Sequence, residues 1–532
     1  MATVSANQLK QLLSDGGELA LLDVREQGPF SKEHLLFACC VPLSRLELLI
    51  DDLVPHRATR TVLMDGGAED GQLARRAAAR LSELGYTDVR VLDGGLEAWR
   101  DSGFEVFSGV NVPSKAFGEI VEQTCHTPHI TPQALKERID RSESVVILDA
   151  RPLDEYQRMN IPGGIDTPGA ELVYRVRDLV PDAKTPIVVN CAGRTRSIIG
   201  TQSLINAGLP NPVAALKGGT MGWRLAGLEL EHGQERIAPP PSAKALAWAQ
   251  AAAHRVGERA GVVRIDANQL DAWRAEAGER SLFIFDVRGP DEFEAGHLPD
   301  ARHAAGGQLV QATDEYVGVR NARLVLVDDT EVRATMTASW LFQLGWPEVA
   351  ILAGGIGELA QVHGPRTSRV PGLEPVTTIT PEALASLRRD NSVTVVDLST
   401  SVEHAAAHIP GAWWGVRARL REALPVLPPS SHLVLTSGDG VLAQLAAPEV
   451  QALQPDLRVE VLAGGNRAWF DAGMASEAGM LRPTTEQDDV WYKPYEHPEA
   501  EASSMQGYLT WEVDLVPQIA KDGDARFEPL EV

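Results

Sequence analysis

An α/β fold made of four copies of one module, each a parallel sheet flanked by helices, is predicted by three observations in this 532-residue sequence. An apolar strand ending in aspartate occurs four times, at Ala20–Asp23, Val146–Asp149, Phe283–Asp286 and Val395–Asp397. Arginine follows two residues later in three of them (Arg25, Arg151, Arg288), and Ser399 takes that place in the fourth. Each copy then reaches a Gly-Gly pair 67 to 71 residues beyond the aspartate: Gly94-Gly95, Gly218-Gly219, Gly354-Gly355 and Gly464-Gly465. Four residues past the second glycine stands Trp99, Trp223 or Trp469, with Leu359 in the third copy. Between these marks, short apolar strands alternate with helical patterns, as in parallel sheets covered on both faces. A repeat this regular sets the whole fold.

In chain order, Ser5 to Leu9 opens a helix, and Leu19–Asp23 and Thr61–Met64 are strands. Leu73–Leu84 is a helix rich in Ala and Arg, and Val89–Leu92 is a further strand. Residues 111–128 link copies one and two. Pro239-Pro240-Pro241-Ser242 stops one element and caps the next, so Ala243–Arg259 reads as a helix of about four to five turns. Gly364-Pro365 to Pro375 joins copies three and four. The expected domains are 1–110, 129–235, 262–362 and 376–482, followed by a tail, 483–532. That tail is acidic and carries Trp491, Tyr492, Tyr495, Tyr508 and Trp511, which fits either a segment docked on the domains or a partly ordered one.

Only the second copy places a cysteine after its central strand. Ile187–Asn190 runs into Cys191, then Ala192-Gly193-Arg194-Thr195-Arg196-Ser197, then a helix. A loop entering a helix turns free N–H groups inward and adds the positive end of the helix dipole, which stabilises a thiolate and binds anions. Arg194 and Arg196 supply further positive charge. Lys217, just before Gly218, stands where the other copies have Asp93, Ala353 and Ala463, so it is either a substrate contact or a solvated lysine. Counting from the strand ends, the place of Cys191 falls to Gly66, to Asp329 or Asp328, and to Ser437. The Ser437 loop contains no arginine. Copies one, three and four are therefore expected to be non-catalytic. Asp149 and Arg151 recur in copies without the cysteine, so their expected role is structural pairing at the strand end.

These residues resemble the rhodanese (thiosulfate sulfurtransferase) superfamily across the chain to about residue 482. The resemblance is carried by the Asp-x-Arg after the first core strand, the segment Ile161-Pro162-Gly163-Gly164, the Cys191 loop and the Gly-Gly-x-x-x-Trp ending. It implies that Cys191 takes a sulfane sulfur from a donor, holds it as a persulfide and passes it to a thiophilic acceptor such as cyanide, a thiol or a protein. The loop residues Ala192, Gly193, Arg194, Thr195, Arg196 and Ser197 would then bind the small anionic donor. Two arginines favour thiosulfate over mercaptopyruvate, whose users tend to have small neutral residues there. Phosphatases of similar fold place five residues between Cys and Arg. Here Cys191 and Arg196 enclose four, a tighter loop for a different anion. The rival reading from another class is a sulfur-carrying or non-enzymatic scaffold whose inactive modules recruit a protein partner.

Composition narrows the rest. A formal net charge of −24 argues against nucleic acid or anionic membrane surfaces as partners. No stretch reaches the roughly 18 consecutive apolar residues of a membrane span. Four cysteines, two of them the adjacent Cys39 and Cys40, make no disulfide framework, and the start lacks the order of a secretion signal. A reducing cytoplasm is the expected setting. No metal or other cofactor is expected, since there is no Cys-x-x-Cys. Cys125 is either incidental or a relay thiol with His126 beside it, and Cys39-Cys40 reads as core packing. The oligomeric state is open, because duplicated modules also pair between chains.

Overall fold

Each aspartate-terminated strand lies inside an all-parallel, five-stranded sheet, and there are four such sheets. The computed structural model describes residues 2–67, 72–357, 359, 361–389, 392–495 and 502–530. Across every sheet the strands stand in the order first, fifth, fourth, second, third. In the second module these are His129–Ile130, Val213–Leu216, Ile187–Asn190, Val146–Asp149 and Ile165–Asp166. The chain leaves the second strand toward one edge and the fourth toward the other. The crevice between them opens at the carboxyl ends of Val146–Asp149 and Ile187–Asn190, where parallel sheets bind ligands.

The repeated residues have repeated jobs. Trp99, Trp223 and Trp469 are fully buried, and each indole N–H donates to a backbone carbonyl six residues on, at Glu105, Glu229 and Ala475, in bonds of 2.8 Å. Asp149 accepts from Arg151 Nε and Nη2 at 2.8 and 2.7 Å, and Arg151 also donates to the Met159 carbonyl. Asp23–Arg25 and Asp286–Arg288 repeat the pair, whereas in the fourth module Ser399 and His404 bond Asp397. These pairs tie the end of the second strand to the following loop, and each satisfies a carboxylate that would be costly to bury alone.

The elements begin and end where local chemistry dictates. Ser5 caps Ala6–Ser14, and Leu73–Glu83 ends one residue short of the expected bound. Ser242 caps Ala243–Ala260, which stops at Gly261 with φ +72 and packs between the helices Glu171–Leu179 and Val332–Gln343. The stretch expected only to link modules one and two is a helix, Val112–Cys125. Pro113 sits in its first turn, where its missing N–H costs nothing, and Val112, Ala116, Phe117 and Val121 form a buried face. The tail docks. Its helix Ala502–Asp522 buries Met505, Glu512, Leu515 and Ile519, and it packs on Val112–Cys125. Modules also pair directly, as where Arg417 of the fourth bonds Glu47 of the first at 2.7 and 3.0 Å.

Candidate active site

Cys191 follows the central strand of module two, is 2% exposed, and has Sγ 3.5 Å from Ser197 Oγ. The turn is pinned from below: Thr220 and Met221 donate their N–H groups to the carbonyls of Cys191 and Ala192 at 2.8 and 3.1 Å. That approach requires Gly219. With φ +56, a Cβ there would lie 2.2 Å from the Cys191 carbonyl oxygen. Among the described residues, the N–H groups of Ala192 through Ser197 donate to no protein acceptor. They form an open nest at the start of the helix Thr195–Asn206.

The sister loops show what the nest does when filled. Strand register aligns Asp149 with Asn190, Asp23 with Met64, Asp286 with Val327 and Asp397 with Thr436. The residues at the place of Cys191 are therefore Asp65, Asp328 and Ser437. This moves the first site from Gly66 to Asp65 and chooses Asp328 over Asp329. The glycine contacts agree, since Gly95, Gly355 and Gly465 crowd the carbonyls of Asp65, Asp328 and Ser437 as Gly219 crowds that of Cys191. The first strand closes on apolar Met64, so its loop opens at Asp65 and not at Gly66, and the third closes on Val327, so its loop opens at Asp328, the first of two adjacent aspartates. Asp328 accepts from the N–H groups of Thr330, Glu331, Arg333 and Ala334 at 2.6 to 3.3 Å. Asp65 takes those of Gly67 and Ala74 at 3.2 and 3.0 Å, and Ser437 Oγ takes that of Ala443 at 3.3 Å.

Above Cys191 lies a cavity of about 150 Å³. Ala192, Gly193, Arg194, Thr195 and Arg196 line it, while Ser197 is fully buried against the sulfur. Lys217 is exposed and lines a separate surface depression with Pro132 and Leu509, so the structure does not bring it to the cysteine. Cys125 also lies outside the cavity lining, its Sγ 3.4 Å from the Leu530 carbonyl oxygen. Asp149 and Arg151 sit one strand away and orient the loop through Asn190, whose Nδ2 donates to Asp149 at 2.8 Å.

Both loop arginines are held by carboxylates. Arg194 makes a two-pronged pair with Glu119 at 2.6 and 2.6 Å and also bonds Glu122. Arg196 meets Glu155 at 3.0 and 2.8 Å, and Gln308 of module three at 3.0 Å. Burial works against the Glu155 carboxyl, yet the Arg196 guanidinium outweighs it and holds that group well below the usual carboxylate range. The cations thus arrive partly neutralised, and their forks are fixed in direction.

Several residues of the site lie far away in sequence. The linker helix brings Lys115, 8% exposed, whose Nζ is 3.7 Å from Glu512 and 5.7 Å from the Tyr508 ring centre. The tail supplies a roof of Trp491, Lys493, Tyr495, Tyr508 and Glu512, and module three adds Gln311 and Glu315. Burial lowers the Lys115 ammonium, against the pull of Glu512. Burial also lifts the Glu512 carboxyl to about 7, against Lys115. The aromatic-rich tail was the sequence signal for this roof. Lys115, inside an apparent linker, gave none.

A model of the rhodanese-like domain matches at residues 5–102, 131–226, 266–361 and 380–472, together most of the chain. The chain belongs to the rhodanese-like domain family. As a rhodanese-family protein it is similar over 100% of its length, and 100% of the other chain, to a crystal structure of thiosulfate sulfurtransferase from Pseudomonas aeruginosa, at 48% identity and a TM-score of 0.97. It is 27% identical over 135 residues to "Putative sulfur carrier protein YrkF" of Bacillus subtilis, covering 23% of this chain and 70% of that one. It is 36% identical over 104 residues to "HTH-type transcriptional regulator Rv0324" of Mycobacterium tuberculosis, covering 20% of this chain and only 45% of that protein. Among the described residues no helix is long and apolar enough to cross a membrane.

Proposed function

We propose that this rhodanese-family protein is a sulfurtransferase using thiosulfate, with Cys191 of the module at 129–235 as the nucleophile and the modules at 1–110, 262–362 and 376–482 as non-catalytic supports. The observation that carries the reading is the open nest of N–H groups around Cys191, set against the filled nests of its sister loops. The full-length likeness to a thiosulfate sulfurtransferase supports the choice of donor.

In the proposed cycle the Cys191 thiolate attacks the outer sulfur of thiosulfate, the S–S bond of the donor breaks, and its electron pair leaves with sulfite. The nest of N–H groups stabilises the anionic persulfide in the manner of an oxyanion hole. Arg196, Arg194 and Lys115 hold the sulfonate oxygens. A cyanide ion or thiol then takes the outer sulfur and returns the electron pair to Cys191. A cavity of about 150 Å³ suits such small reactants, being below the roughly 300 Å³ of ordinary ligand pockets.

Steady-state assay with thiosulfate and cyanide tests this: the expected result is multiple turnover that Cys191→Ser abolishes. The likeness to a protein named as a sulfur carrier favours a second reading, in which Cys191 ferries sulfur to a protein partner without multiple turnover on small acceptors. Single loading without turnover would select that reading. Turnover of an aryl phosphate by Cys191 would instead sink both.

A further inference from the structure

Glu512 is a buried acid that no structural role fully accounts for. It is 1% exposed, in the middle of the tail helix, and it lines the same cavity as Cys191. One carboxyl oxygen, Oε1, lies 3.4 Å from Thr195 Oγ1 and 3.7 Å from Lys115 Nζ. The other, Oε2, is buried without a hydrogen-bond partner among the described residues. It points at the nucleophile loop, since a Cβ on Gly193 would come within 3.1 Å of it. A buried polar oxygen left without a partner is costly, so its retention calls for a use.

We propose that Glu512 is the general base of the acceptor half-reaction, taking the proton from a thiol acceptor as that thiol's sulfur attacks the Cys191 persulfide. The proposal rests on the sulfurtransferase reading and assigns it a preferred acceptor class, small thiols. In the step, the acceptor S–H bond breaks and its proton passes to Glu512 Oε2. The freed electron pair forms a new bond to the outer sulfur. The bond from Cys191 Sγ to that sulfur breaks, and its pair returns to Sγ. A thiol and a Cys191 persulfide thus become a new persulfide and the Cys191 thiolate, with no oxidant or reductant required.

The surroundings suit the task. Lys115 and Glu119 face Glu512 from the linker helix, Arg194 and Thr195 from the loop, and Tyr508 from its own helix, with Cys191 and Arg196 across the cavity. Burial first, with Lys115 opposing and Glu119 adding, brings the carboxyl to about 7, where a general base is most effective in neutral solution. Lys115 keeps its charge from repelling the anionic donor.

The test separates the two half-reactions of the full chain. Wild type and Glu512→Gln are loaded with thiosulfate, freed of excess donor, and discharged with either 2-mercaptoethanol or sulfite, while the bound sulfur is followed by intact mass. Sulfite at pH 8 regenerates thiosulfate and brings no proton to remove. Glu512→Gln is expected to slow discharge to the thiol about 100-fold at pH 7, and to change loading and discharge to sulfite by far less, through the lost Lys115 pairing alone. That gap should close as the pH passes the thiol's own pKa, and Glu512→Asp should recover part of the loss. Equal slowing with sulfite and thiol, or no slowing with either, overturns the proposal in favour of a tail anchor. A wild-type chain that accepts no sulfur at all overturns the sulfurtransferase reading instead.

Discussion

The loops at Cys191 and Asp328 share a backbone and differ in their first side chain. Each follows the central strand of its sheet, each is pinned by a Gly-Gly turn, and each has an arginine five residues on. Those arginines have matching partners: Arg196 pairs with Glu155, and Arg333 with Glu292 at 2.7 and 3.0 Å. In module three the Asp328 carboxylate occupies the N–H groups, and Arg333 is locked further by Glu171 at 2.8 Å and Asp329 at 2.7 Å. In module two the cysteine leaves those groups open. The same anion-binding geometry thus serves as an internal helix cap in one module and as a candidate reaction site in the other.

The largest effect should come from converting one loop into the other. Cys191→Asp is expected to accept no sulfur while keeping its melting temperature within a few degrees, because the new carboxylate caps the nest; a cooperative loss of fold would contradict the equivalence. Removing the two arginines should then divide their roles. Arg333→Met leaves Glu171 with Arg175 alone and Glu292 without its cation, and should cost about 1–3 kcal/mol in denaturant unfolding, with sulfur uptake retained. Arg196→Met should instead raise the KM for thiosulfate tenfold or more. Asp328→Ala exposes uncapped N–H groups and should cost about 1–2 kcal/mol with activity kept.

A separate effect, spread over several groups, is one of pH. Burial lifts Glu26 and Glu512 to about 7, Asp314 and Asp328 to about 6, and Asp166 to about 8. Between about pH 4 and these values the folded chain binds more protons than the unfolded one. Their contribution is full below about pH 4 and is lost as pH rises toward 8. Melting temperature should therefore be lower at pH 8 than at pH 6, and a flat or rising profile would contradict these burial effects.

The module was legible in the sequence because its marks are local: an apolar run closed by Asp149, a turn that only Gly218-Gly219 can make, and a tryptophan one helical turn on. The cysteine was legible for the same reason. What surrounds it was not. Glu119 and Glu155 neutralise Arg194 and Arg196, and Lys115 and Glu512 meet beside Gly193, through packing between elements far apart in the chain. No periodicity records such meetings. The difference between Gly66 and Asp65 turned on sheet register, which a single strand does not carry.

The most direct test is intact mass after thiosulfate for wild type, Cys191→Ser and Cys191→Asp, followed by a peptide map of any sulfur gained. The account predicts one added sulfur atom, on the peptide containing Cys191, in the wild type alone, and its removal by cyanide. Sulfur carried on Cys39, Cys40 or Cys125, or gained equally by the variants, would contradict it.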